Sequence, residues 1–156
     1  MTRSRASLRA AALGAAIIAA DQATKALARG AVARGDRDPI FPGVALVNVR
    51  NRGVAFGLFA DSGAILIVFT VVAVLALLAF FLVHATRHGA WVPTGLLLGG
   101  AGGNLIDRVY DEGVTDFIDI PLWPAFNLAD IAITAGVLAL LWVLEGPPAE
   151  KARPDG

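Results

Sequence analysis

The sequence predicts an all-α membrane protein, a bundle of four transmembrane helices with small extramembrane β segments on its outer face. Three observations point there. Residues 62–83, SGAILIVFTVVAVLALLAFFLV, run without a charge, and about 20 helical residues suffice to cross a hydrocarbon core. The chain is 56% hydrophobic and only 17% charged, with a mean hydropathy of +0.67. That is too apolar for an ordinary soluble domain, in which roughly 45–50% is usual. Finally, two polar segments rich in glycine and proline divide the apolar sequence into separate pieces.

With 156 residues the chain is a single domain, residues 1–156. Thirteen basic residues balance 13 acidic ones, so no basic field calls for nucleic acid. The absence of cysteine excludes a disulfide framework, thiolate metal sites and a cysteine nucleophile.

The first predicted helix covers residues 8–28. Arg3, Arg5 and Arg9 ahead of an apolar run resemble the start of a signal peptide. The apolar pattern resumes after Asp21, however, and no small-x-small cleavage site precedes it. Residues 29–61 form a first outer-face segment, in which VALVNVR (residues 44–50) is β-branched enough to be a strand. The second helix covers residues 62–83. His84 and His88 fall in the turn that follows and read as solvated loop residues rather than ligands.

The third helix, residues 91–108, is lower in hydropathy because of Gly95, Gly99, Gly100, Gly102 and Gly103, which would let neighbouring helices approach closely. Residues 109–124 form the second outer segment, with GVTDFIDI (residues 113–120) able to be a strand. Residues 125–144 are the fourth helix, followed by a polar tail. Four spans put both termini on one side. Basic residues divide evenly between the two sides, and the arginines beside the first span set a cytoplasmic N-terminus.

Chain direction alternates, so the polar residues of the spans converge. Asp21 and Lys25 lie near the end of the first helix. Asn104, Asp107 and Arg108 end the third, and Asn127 and Asp130 begin the fourth. All three helix ends share one membrane face with the segments carrying Asn51 and Asp116. Asp21, Thr24 and Lys25 share a helix face by spacing, as do Asn104, Asp107 and Arg108, and Asn127 with Asp130.

Each residue has a plain structural reading. Asp21–Lys25 could be an intrahelical ion pair, Asp107–Arg108 a helix-end charge pair with a snorkelling arginine, and Asn127 a helix cap. Asp130, a carboxylate inside the first turns of a span, has no equally simple one; the helix dipole favours it without explaining it.

GGAGG lacks the spacing and the terminal Lys-Ser/Thr of a phosphate loop, and no Ser-His-Asp, HExxH or Cys-His set is available. A hydrolase built on this chain must use carboxylates. A transporter would need polar groups through the membrane, yet residues 66–83 and 132–144 contain none that ionise. The GxGD motif of prepilin-type peptidases is also missing.

DQATK (residues 21–25), NRGVAFG (51–57), GGAGGNLIDR (99–108), VTDFIDI (114–120) and FNLAD (126–130) together resemble the ordered motifs of lipoprotein signal peptidase, also called signal peptidase II. Each is weak alone; in this order and spacing they are specific. The termini and residues 30–44 carry no motif.

The resemblance implies a multi-pass aspartyl endopeptidase of the bacterial cytoplasmic (inner) membrane, with cytoplasmic termini and an active site near the outer face. It implies removal of signal peptides from diacylglyceryl-modified prolipoproteins, with cleavage just before the lipidated cysteine. Asp116 and Asp130 match the catalytic pair. Asp21, Lys25, Asn51, Asn104, Arg108 and Asn127 match residues that support the site or hold substrate. Asp107 reads as structural support, and Asp111, Glu112 and Asp119 as solvated loop charges. The implied enzyme uses no metal or cofactor, works as a monomer, and has lipid-modified prolipoproteins and membrane lipid as its partners.

Overall fold

The structure, a computed structural model, describes residues 2–51, 63–84, 87, 89–111 and 113–145. Four helices and a three-stranded sheet alternate along the chain. They are α1 (Arg3–Ala31), β1 (Arg37–Phe41), β2 (Val44–Asn51), α2 (Gly63–His84), α3 (Trp91–Tyr110), β3 (Val114–Asp119) and α4 (Leu128–Glu145). Residues 52–62, His88 and Glu112 lie outside the described residues, and with them most of the NRGVAFG motif and two of the loop readings.

α3 is the central helix, with α1 and α4 packed closely against it and α2 also in contact. Glycines allow this closeness. A Cβ at Gly95 would lie 2.8 Å from the Leu13 Cβ, and one at Gly99 2.7 Å from the Ile17 Cβ. Gly103 continues the same stripe one turn on, where a Cβ would meet Asp21 Oδ2 at 2.5 Å. On the opposite side, a Cβ at Gly100 would meet the Ala129 carbonyl oxygen at 2.5 Å. The glycines expected to bring helices together do so, and α3 thereby holds α1 on one flank and α4 on the other.

The sheet order is β1-β2-β3, antiparallel throughout. Both predicted strands form. β1 was not expected: its five residues are all exposed, Pro39 sits within it, and an edge strand of that kind carries no alternating pattern to read. Pro42 and Gly43 turn the chain between β1 and β2, with Gly43 at φ +83°, the left-handed conformation such a turn requires. β2 shows alternation, burying Ala45 and Val47, whereas Val114–Phe117 of β3 are buried on both sides.

The helix bounds differ from expectation by three or more residues at three ends, one of them the end of α1, which runs to Ala31 rather than residue 28. α1 begins at Arg3, ahead of the predicted residue 8, and α4 begins at Leu128 rather than residue 125. Asn127 caps α4, and residues 120–127 belong to the connection before it. Among the described residues, α4 is the helix long and apolar enough to cross a membrane, at hydropathy 1.9 over 18 residues; Ile67–Phe81 of α2 form a shorter apolar run. Large apolar side chains such as Leu8, Phe69, Leu75, Leu138 and Trp142 face outward. Soluble monomers rarely expose large apolar patches.

The packing gives a first prediction. Gly103→Ala forces a methyl group into Asp21 and should lower stability by about 1–3 kcal/mol. Gly30→Ala, in α1 with nothing within 4 Å of the added carbon, should be neutral or stabilise by up to about 1 kcal/mol. Thermal unfolding of the two variants in detergent compares them directly, and equal effects would contradict the close approach at Gly103.

Candidate active site

Where Gly103 of α3 leaves room for α1, Asp21 and Lys25 are fully buried. They do form an ion pair, at 2.7 Å, but each has further partners. Lys25 Nζ also lies 3.0 Å from Asp107 Oδ2 and donates to Asn104 Oδ1 at 3.0 Å. Asp21 Oδ1 accepts the Ala129 N–H at 2.9 Å, reaching the first turn of α4. Asp107 therefore pairs with Lys25 rather than with Arg108, and its Oδ2 also accepts the Thr115 N–H at 2.9 Å. An ammonium and two carboxylates shielded from solvent need such complete hydrogen bonding to be tolerable.

Thr115 is the residue before Asp116, so this bond from α3 fixes the backbone of β3 beside the carboxylate. A second set of bonds holds the same point. Arg29 Nη1 donates to the Thr115 hydroxyl at 3.1 Å, and Arg50 Nη1 to the Gly113 carbonyl oxygen at 3.1 Å. Asp111 lies between the two arginines, at 3.5 Å from Arg29 and 3.2 Å from Arg50. Asp111 is thus a tether rather than a free loop charge. Asp119 likewise pairs with Arg37 at 2.7 Å, on an exposed edge where such a pair contributes little.

Asp116 and Asp130 are brought together by a return of the chain. Phe117 and Ile118 donate their N–H groups to the Phe126 carbonyl oxygen at 3.0 and 2.9 Å, and Phe126 donates back to Ile118 at 3.0 Å. The loop reverses through Leu122, a non-glycine residue at φ 66°. The fold-back sets Asn127 beside β3, where its Nδ2 donates to Asp116 Oδ1 at 2.7 Å. The other oxygen of Asp116 accepts Asn51 Nδ2 at 3.0 Å.

Asn127 and Asp130 form a reciprocal helix cap. Asn127 Oδ1 accepts the Asp130 N–H at 3.0 Å, and Asp130 Oδ2 accepts the Asn127 N–H at 3.2 Å. This is the capping-box geometry, so Asp130 does have a simple structural role in addition to any other. It is the third residue of α4 and half-buried. Its Oδ1 accepts Asn104 Nδ2 at 2.9 Å. Asn127 thus touches both carboxylates, and it is fully buried.

A cavity of about 490 Å³ opens between α2, α3 and α4. Phe69, Val74, Leu77, Leu97 and Ile133 make it apolar for most of its length, and Asn104, Arg108 and Asp130 close one end. Arg108 Nη1 donates to the Asn104 carbonyl oxygen at 3.4 Å. The cavity brings an apolar trough and a fixed positive charge to the half-buried carboxylate. Among the described residues, no group of three or more His, Cys, Asp or Glu side chains is placed to hold a metal ion.

All eight residues expected at the site fall in this one region, with Asp107 beneath them. Sequence reasoning passed over Gln22, whose Nε2 donates to Asp107 Oδ1 at 2.8 Å and to the Gly103 carbonyl oxygen at 3.1 Å. Its signal was available, as a polar side chain within DQATK. Arg29, Arg50 and Thr115 were also passed over, and as ordinary loop or helix-end residues they carried no signal.

Burial pushes the Asp116 carboxyl up from 3.8 to about 6. The Asn51 and Asn127 amides and the Lys25 ammonium oppose the rise, and the neighbouring Asp130 adds to it. The folded chain therefore holds this proton more tightly than the unfolded one does. The resulting stability is fully present below about pH 4 and is lost as pH rises through about 6, a change of roughly 3 kcal/mol. Asp116→Asn cannot ionise, so the stability difference between variant and parent should shift in favour of the variant across that window. Parallel unfolding curves from pH 4 to 7 would contradict the assignment.

Residues 13–144 match the family model described as signal peptidase (SPase) II. The chain is 39% identical over 139 residues to a lipoprotein signal peptidase of Moorella thermoacetica, covering 88% of this chain and 93% of that protein. It is 40% identical over 151 residues to one of Serratia marcescens, covering 90% and 88%. A solved bacterial membrane enzyme structure, obtained by the in meso method at 2.3 Å resolution, superposes with a TM-score of 0.82 at 28% identity, covering 94% of each chain.

Proposed function

The chain belongs to the signal peptidase II family, and from that premise we propose that it is an aspartyl endopeptidase of the bacterial cytoplasmic membrane. It removes signal peptides from diacylglyceryl-modified prolipoproteins, cleaving before the lipidated cysteine. The observation that carries this reading is the joining of Asp116 and Asp130 through Asn127 at the polar end of an apolar cavity. The four helices are its membrane spans, the termini are cytoplasmic, and the sheet with its connections lies at the outer face. The outward-facing apolar side chains of α1, α2 and α4 support this arrangement.

Two carboxylates sharing one buried site hold one proton between them, because the second ionisation is opposed by the first. Burial raises Asp116 to about 6, so the shared proton rests first there. Asp130, at the cavity, takes a proton from water as the water oxygen bonds to the scissile carbonyl carbon. The protonated partner donates to the carbonyl oxygen. The tetrahedral intermediate then collapses: the C–N bond breaks, the proton held by Asp130 passes to the leaving amine, and a hydroxyl of the intermediate returns its proton to Asp116 as the carboxylic acid forms. Arg108, with its fixed charge at the cavity end, favours the partial negative charge that builds on the carbonyl oxygen before the proton reaches it, and orients the substrate backbone. The apolar trough takes up hydrocarbon of the substrate while its peptide bond meets the polar end.

Asp116→Asn and Asp130→Asn should each reduce cleavage by at least about 100-fold, the lower range for losing a general acid or base. Asp107→Asn should instead act on stability, because it weakens the hold on buried Lys25. Cleavage of a purified prolipoprotein followed by gel shift, with thermal unfolding alongside, separates these outcomes. Full turnover by either dyad variant would sink the pair.

The substrate claim has its own test. Purified protein should cleave a prolipoprotein carrying the diacylglyceryl group and leave the unmodified precursor intact. Equal cleavage of both would remove the lipid from the specificity.

A further inference from the structure

We propose that Lys25 is a positioning residue that fixes the orientation of the Asn104 amide, and through it the hydrogen-bond polarity at both Asp116 and Asp130. The inference rests on those two being the working pair. An ammonium has three N–H donors and no acceptor. Lys25 directs them to Asp21 Oδ2, Asp107 Oδ2 and Asn104 Oδ1, at 2.7, 3.0 and 3.0 Å.

Asn104 must therefore present its oxygen to Lys25, which leaves its Nδ2 to donate to Asp130 Oδ1. A flipped amide would set an NH₂ group against the ammonium and a carbonyl oxygen against the carboxylate. The ordering passes further. Asn104 Oδ1 also accepts from Asn127 Nδ2 at 3.2 Å, and that same Nδ2 donates to Asp116 Oδ1. Asn127 Oδ1 is left for the Asp130 N–H. Donors thus point outward from one cation to both carboxylates, and each of the two asparagines has one allowed orientation.

Lys25 does not line the cavity, so it acts on the pair without touching substrate. The other groups around the pair are few. α1 supplies Asp21 behind Lys25, and α3 supplies Asp107 and Arg108. β2 faces it with neutral Asn51, its Arg50 being turned to Asp111. The α2 side chains along the cavity, Phe69, Thr70, Ala73, Val74 and Leu77, do not ionise. Lys25 and Arg108 both lend positive charge to the pair, so removing Lys25 makes the pair harder to ionise.

The test uses full-length protein in detergent with a lipidated prolipoprotein. Lys25→Met should lower kcat about tenfold or more with KM unchanged, and should move the acid limb of the rate profile up by about one pH unit. Loss of a buried cation also threatens folding, so a second variant is paired with it. Lys25→Met/Asp107→Asn removes one positive and one negative charge and keeps the buried balance.

If Lys25 only neutralises its neighbours, the double variant regains stability, kcat and the parent pH profile together, and the proposal is overturned. If Lys25 orients the amide, stability and the acid limb return with the charge balance while the low kcat persists. A double variant that fails to fold would equally overturn it, since Lys25 would then be structural. Combining Lys25→Met with Asn104→Leu should add nothing beyond Asn104→Leu alone, because the link is already gone. Failure of the dyad reading itself looks different, as full turnover by Asp116→Asn or Asp130→Asn.

Discussion

An ammonium group buried away from solvent must be surrounded by acceptors, and meeting that demand at Lys25 ties much of the molecule together. The acceptors come from α1 and α3, and both carboxylates have work beyond the pairing. Asp21 continues to the first turn of α4 through the Ala129 N–H, and Asp107 to the start of β3 through the Thr115 N–H. The two elements that carry Asp116 and Asp130 are therefore registered against the same buried charge. Breaking such a cluster leaves an uncompensated ion, which costs about 3–5 kcal/mol. Tolerating it demands close helices, which Gly103 supplies by having no side chain where Asp21 passes.

Placing one carboxylate on a strand and the other on a helix gives them unlike surroundings. Asp116 sits in a stretch of β3 covered on both sides, and its two oxygens are taken by amides of Asn51 and Asn127. Asp130 is half-buried at the cavity and is held by its own helix cap and by Asn104. In the proposed mechanism the two act as acid and base in turn, and that difference serves it, because identical environments would leave the proton unassigned. The fold-back at Phe126 makes the difference compatible with proximity: it pins the approach to α4 onto β3 within the same short stretch of chain.

The helices and two of the three strands were legible because each has a pattern that burial imposes, an uncharged run or a cluster of β-branched residues. Convergence of Asp21, Lys25, Asn104, Asn127 and Asp130 was legible too, from chain reversal and helical spacing. What could not be read was which acceptor each donor chooses. Asp107 and Arg108 are neighbours in sequence, yet Asp107 turns to Lys25 on another helix. Asp111 looked solvated and instead joins Arg29 to Arg50. Asp130 seemed to lack a structural role, since the reciprocal cap with Asn127 depends on where α4 begins, and a span boundary judged from hydropathy is blurred by several residues. β1 was invisible because an exposed edge strand is under no pressure to alternate.

The cavity follows from the same packing rule that builds the bundle. α1 and α4 approach α3 at glycines, Gly14 against Gly95 and Gly99 on one flank and Gly136 against Leu97 on the other. α2 has no glycine beyond its first residue and is dense in valine, leucine and phenylalanine. It packs against α3 through bulky side chains and stands off from α4, and the space between them is the trough that ends at Asn104, Arg108 and Asp130. Filling it with small-residue contacts would close the bundle and bury Asp130 as deeply as Asp21. Glycine thus sets where α1 and α4 meet α3 closely, and the bulk of α2 leaves the space that Asp130 lines.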